Sequence, residues 1–120
     1  MRHILTPLLV LIPLVACAVD NTPGAGAVER ISMARSTGAV QCSGGGLTLE
    51  DTERELADAG VQVLSASCGH DGRMHPMMCG RSDGSLHIVE IPASQAAAAA
   101  ALKFVPLSRL PEARRSPCGG

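Results

Sequence analysis

Apolar and polar positions mark six elements between Gly38 and Leu107. Gly38-Ala39-Val40-Gln41-Cys42 predicts a short strand, ended by the Gly44-Gly45-Gly46 run. A helix follows, because Thr48 suits an N-cap, with Asp51 three residues on making a partial capping box. Leu49, Thr52, Leu56 and Ala59 then recur at helical spacing on one face, Glu50 and Arg54 pair at i, i+4, and Gly60 stands where a left-handed C-terminal residue belongs. Val61 to Cys68 is β-type, rich in Val and Ser. Leu86-His87-Ile88-Val89-Glu90-Ile91 is a clearer strand, preceded by the turn residues Ser82-Asp83-Gly84. Pro92 can open a second helix, and Ala96 to Ala101 continues it with the strongest helix formers. Phe104-Val105-Pro106-Leu107 predicts a last short strand, confined to a sheet edge by Pro106.

The resulting order, β-α-β-β-α-β, predicts an α+β fold, a small split βαβ (ferredoxin-like) sheet with two helices on one face. The folded domain is expected over residues 38–107, with a C-terminal tail over 108–120. In this topology the first two strands run the same way. Cys42, the triple glycine and the loop after Cys68 should therefore meet at one end of the sheet.

Upstream, the pattern changes character. Met1-Arg2-His3 is positively charged, and Ile4 to Val15 is apolar apart from Thr6, with Pro7 and Pro13 interrupting it. A membrane-spanning helix needs roughly 20 apolar residues, so this run is too short and reads as the hydrophobic part of a secretory signal. It ends in Leu14-Val15-Ala16-Cys17, which resembles the lipobox of bacterial lipoproteins. The resemblance covers residues 1–17 and implies cleavage before Cys17, acylation of that cysteine, and a lipid-anchored protein on the periplasmic side of the bacterial envelope. Ala16-Cys17-Ala18 also fits ordinary secretory cleavage after Ala18. Residues 1–16 are thus read as a signal peptide. Residues 17–37 are read as a tether, flexible because Val19 to Val28 is built of small and polar residues and Pro. Glu29 to Ser36 could form a helical turn or two.

Composition narrows the function classes. The chain has 120 residues, a formal net charge of −1 and one aromatic residue, Phe104. The near-neutral charge argues against a nucleic-acid partner. A core of Val, Leu, Ile and Ala is thin for its length and calls for covalent bracing. With Cys17 set aside, the four cysteines Cys42, Cys68, Cys79 and Cys118 imply two disulfides in an exported chain. Cys68–Cys79 and Cys42–Cys118 are the expected pairs, with Cys42–Cys68 as the rival that the topology itself suggests. Residues 50–58 are mostly acidic, whereas Lys103, Arg109, Arg114 and Arg115 make the C-terminal part basic, so the tail is expected to dock on the first helix.

Unusual chemistry is concentrated in one loop. Cys68 and Cys79 bracket His70, His75, Met74, Met77 and Met78. Imidazole and thioether donors suit copper, so these five residues are the candidate metal ligands. A ferredoxin-like fold resembles the small heavy-metal-binding domains, whose ligands lie between the first strand and first helix. After Cys42, however, Gly45 holds the place of their second cysteine, so that thiolate pair is not carried over. In the alternative reading Met77 and Met78 cap the core, one pointing in and one out, while His70, Asp71 and His75 are solvated turn residues with the histidines apart. The glycine run is unsuited to phosphate, because Glu50, Asp51 and Glu53 crowd the helix start. His87 is expected to be a packed or rim residue. No spacing of Ser and His marks a nucleophile and its base. The sequence therefore predicts a non-catalytic binding or structural module without a cofactor, attached to the membrane by its lipid and serving an envelope partner; a periplasmic copper-binding lipoprotein is the alternative.

Overall fold

The computed structural model describes residues 28–119, so the segment read as a signal peptide, Cys17 and the part of the expected tether up to residue 27 lie outside the described residues. The protein is α+β, with strands β1 (Arg30–Ser36), β2 (Ser65–His70), β3 (Ser85–Pro92), β4 (Val105–Pro106) and β5 (Arg114–Ser116), and helices α1 (Leu49–Asp58) and α2 (Ala96–Ala101). The five strands form one sheet in the order β4-β1-β3-β2-β5, and every neighbouring pair is antiparallel.

The first helix forms as its sequence dictates. Thr48 Oγ1 accepts from the Asp51 N–H at 3.1 Å and Asp51 Oδ2 accepts from the Thr48 N–H at 3.3 Å, closing the capping box. Thr52 and Leu56 are its buried face, and Gly60 ends it at φ +78°. Ala59, expected on the buried face, is exposed, and Arg54 pairs with Asp51 rather than Glu50.

The first strand is a correction. It lies at Arg30–Ser36, so folding begins inside the segment read as tether, and Gly38–Cys42 is a loop in which Val40 alone makes isolated bridges, to Gly44 and Ser82. The strand alternates: Met33 joins the core beneath the helices, whereas Ala34 joins the core of the other face. Arg35 stands beside Met33's row yet is tolerated inside. Its guanidinium binds both carboxylate oxygens of Glu55 at 2.7 and 3.1 Å, donates to the Leu102 carbonyl at 3.0 Å and lies 4.6 Å from the Phe104 ring centre. That pairing holds the Glu55 carboxyl below its ordinary range despite the opposing effect of burial.

Both faces of the sheet are covered. The main core contains Met33, Leu56, Val61, Val89, Ile91, Ala99 and Phe104, with both helices on that side. On the opposite face Leu107, Leu110 and Ala113 pack over Ala34, Leu86 and Ile88. β4 and β5 occupy opposite edges, so the 107–113 segment is a strap crossing the sheet behind the helices. The segment expected as a tail docked on the first helix is instead part of the sheet, and it ends in a fifth strand paired with β2. Arg114 and Arg115 are on that strand, and Arg115 donates to Ser67 Oγ at 2.6 Å; among the described residues no ion pair joins them to α1. Arg114 and Arg115 are carried by the strap to the far edge of the sheet instead of docking on the acidic helix.

Candidate functional site

The loop between β2 and β3 is pinned at its base and along its length. His70 pairs with Ser85 across the hairpin, and the Asp71 N–H donates to the Gly84 carbonyl at 2.9 Å. Farther out, the loop is zipped to the segment after β1: Gln41 N–H donates to the Arg81 carbonyl at 2.8 Å, Gly80 N–H to the Gln41 carbonyl at 3.2 Å and Asp83 N–H to the Ala39 carbonyl at 3.2 Å.

This geometry sets the disulfides, which are Cys42–Cys79 and Cys68–Cys118. Neither expected pair forms, nor does Cys42–Cys68. The zipper between residues 39–41 and 80–83 brings Cys42 to Cys79. Pairing of β2 with β5 sets Cys68 opposite Ser116, which brings Cys118, two residues farther on, within reach. The exposed Arg114-Arg115-Ser116 carries no strand pattern, so the second bridge has no visible cause in the sequence.

The clustering expected at this end of the sheet is present for the glycine run and His70 but not for the methionines. A cavity of about 450 Å³ is lined by Gly44, Gly45, Cys68, His70, His87 and Cys118, among others. The glycine run serves backbone geometry: a Cβ on Gly46 would sit 2.6 Å from the Thr37 carbonyl oxygen, and its φ is +82°.

The five candidate ligands divide. His70 and His75 come together, their rings edge to face with centres 5.9 Å apart. Met74, Met77 and Met78 stand out in solvent, 99%, 90% and 54% exposed, and neither cap the core nor point into it. The partner of the histidines is Asp71. His75 Nε2 lies 2.8 and 2.9 Å from its two oxygens, and Asp71 Oδ1 also accepts from the Arg73 N–H at 3.0 Å. Burial raises the Asp71 pKa, but the His75 hydrogen bond and the Arg73 N–H outweigh it and hold the carboxyl below its usual range. His70 is fixed at both nitrogens: Nε2 faces the Asp83 carbonyl oxygen at 2.9 Å, and Nδ1 accepts from the Gly72 N–H at 3.0 Å. A carbonyl oxygen only accepts, so the proton of neutral His70 resides on Nε2. Space for both rings comes from Gly84, where a Cβ would fall 2.5 Å from His70 Nε2 and 2.7 Å from His75 Nε2. The sequence signal for this role of Asp71 was its i, i+4 spacing to His75 across Gly72; the methionines drew attention instead.

His87 is buried, as a packed residue, with Nδ1 2.8 Å from the hydroxyl of buried Thr52. Desolvation, aided by the Arg35 charge, pushes its pKa below the ordinary histidine value of 6.5. The unfolded chain therefore binds the proton more readily than the folded one between that depressed value and 6.5, and folding stability rises with pH across the window. Chemical denaturation should show the stability present above pH 6.5 eroding as pH falls, with a slope of at most about 1.4 kcal/mol per pH unit from this group. His87→Gln should remove that part of the slope, and an unchanged slope in the variant would refute the assignment.

Among the described residues no helix is long and apolar enough to cross a membrane. Comparison of the chain with known protein families, with characterised proteins and with solved structures found no match.

Proposed function

We propose that this protein is a lipid-anchored, non-catalytic binding module of the bacterial envelope, held on the periplasmic side and engaging an envelope partner through the disulfide-braced end of its sheet. The lipobox-like Leu14-Val15-Ala16-Cys17 supports the anchor, and two disulfides suit an oxidising compartment. The observation that carries the reading is the direction of β1. The tether enters at Arg30, while the 71–84 loop leaves from the opposite end of the sheet, where Ser36 pairs with Leu86 and His70 with Ser85. Seven strand residues at about 3.3 Å each separate the two ends by roughly 20 Å. The loop is thus presented away from the point of attachment.

The central order β4-β1-β3-β2, with one helix after β1 and another after β3, supports reading the sheet as a split βαβ (ferredoxin-like) unit extended by β5. Among the described residues the hydroxyl hydrogen-bonded to a histidine ring is that of Thr52, on His87, and its burial out of reach of any substrate supports a non-catalytic role. The second reading, a periplasmic copper-binding lipoprotein, is favoured by the approach of His70 to His75 and opposed by the outward methionines.

Replacing Cys17 by Ala tests the anchor. The variant should leave the membrane fraction or accumulate unprocessed, whereas a variant that fractionates and migrates like the parent would refute lipidation.

A further inference from the structure

We propose that His70, Asp71 and His75 bind one divalent transition-metal ion of the zinc(II)/copper(II) kind, with the loop methionines outside its coordination sphere. The inference rests on the loop alone and holds whether or not the protein is lipid-anchored.

One donor atom from each residue lies within 4.8 Å of the others. The shorter separations decide whether that is a site or a coincidence. Two ligands each about 2.0–2.1 Å from a tetrahedral zinc ion are about 3.3 Å apart. His75 Nε2 stands 2.8 Å from Asp71 Oδ2, and His70 Nδ1 stands 3.6 Å from Asp71 Oδ1. The two His–Asp separations, one to each oxygen of Asp71, bracket the required spacing.

The protonation pattern is also suitable. His70 keeps its Nε2 proton on the Asp83 carbonyl, which leaves the Nδ1 lone pair as the ligand atom. A backbone carbonyl on the far ring nitrogen is the usual outer support of a metal-bound histidine. The competing Gly72 N–H is on an exposed loop, where water can take over its hydrogen bond. At His75 the ion takes the place of the Nε2 proton now shared with Asp71, and that proton passes to solvent. The ion-pair partners of Asp71 are the two histidines, and its side chain is only 16% exposed. The loop need not order on binding, because the Asp71–Gly84 hydrogen bond and the Cys42–Cys79 bridge already hold it.

The donor set names the class of ion. Two imidazoles and a carboxylate suit zinc(II) and copper(II), whereas copper(I) prefers thioethers and thiolates, and calcium and magnesium prefer oxygen alone. Three protein ligands leave a fourth position for water or an external ligand.

The test is calorimetric titration of the purified full chain, disulfides intact, at pH 7.5 with zinc chloride, copper(II) chloride and magnesium chloride. Zinc(II) and copper(II) should bind with one equivalent and magnesium should not. Asp71→Asn and His75→Ala should each weaken zinc binding by more than the roughly 10–100-fold that loss of an outer-shell partner costs. The triple variant Met74→Leu, Met77→Leu, Met78→Leu should bind as the parent does. Because a ligand variant could loosen the loop, the parent is also followed by histidine ¹⁵N NMR, where zinc should move His70 Nδ1 and His75 Nε2 and leave His87 in place. Absence of one-equivalent binding in the parent, binding that survives His75→Ala, binding lost with the methionines, or a response at His87 instead would each overturn the proposal.

Discussion

Full reduction of Cys42–Cys79 and Cys68–Cys118 should unfold the protein at room temperature. The bridges close 37 and 50 residues of chain. In the chain-entropy model loops of these sizes restrict the unfolded state by about 4 kcal/mol each, and a whole domain is typically stable by only about 5–15 kcal/mol. The core has little reserve against such a loss: its single aromatic is Phe104, and α2 consists entirely of alanine. The two bridges should not be equivalent. Cys68–Cys118 secures β5, whose three residues are all exposed, so Cys68→Ala with Cys118→Ala should free the strand and the strap behind it. Cys42–Cys79 secures only loops, and Cys42→Ala with Cys79→Ala should leave the strand order intact while the 71–84 loop loses amide protection. Hydrogen exchange on the two double variants separates these patterns. A reduced protein that keeps its native exchange pattern would show that the noncovalent core suffices, contrary to this account.

What could be read from the sequence depended on how much each residue determines its own surroundings. α1 was legible because Thr48, Asp51 and Gly60 act within one turn of themselves. β3 was legible because Leu86, Ile88, Val89 and Ile91 are apolar whichever strands flank them. β4 followed from Pro106, which only an edge accommodates, and it pairs with β1 alone. β1 was not legible. Arg30-Ile31-Ser32-Met33-Ala34-Arg35-Ser36 shows little contrast between its faces, since Arg35 becomes an inside residue only once Glu55, Leu102 and Phe104 surround it. β5 carries two arginines and a serine and exists because β2 offers an open edge. Both disulfides followed these two hidden strands, so a wrong strand became a wrong connectivity. At the site, the sequence marked the loop and both histidines. It gave Asp71 no special weight, because the hydrogen bond that turns its backbone toward the histidines comes from Gly84, thirteen residues away.

The core should feel the loss of Phe104 more than that of any other single side chain. Phe104 is 2% exposed and is the largest fully buried residue, in one cluster with Met33, Leu56, Val89, Ile91 and Ala99. Truncating a buried phenylalanine to alanine costs about 3–5 kcal/mol, and the spread reflects how far the neighbours collapse into the cavity. Collapse is limited here on three sides. The neighbouring helix offers only methyl groups, Val89 and Ile91 are fixed in the sheet between β1 and β2, and Lys103 before it holds φ +72°, which restricts how the backbone can follow. Arg35 adds to the cost, because its guanidinium lies over the ring and would face a void. Phe104→Ala should therefore fall near 5 kcal/mol, the upper end of that range. For a domain of this size it should lower the thermal midpoint by at least about 20 °C. Phe104→Leu keeps most of the volume and should recover more than half of the loss. Thermal and denaturant unfolding of the two variants against the parent measures both quantities. A cost under about 1.5 kcal/mol for Phe104→Ala would mean that the alanine helix moves in to fill the space, and that this core is more pliable than its packing implies.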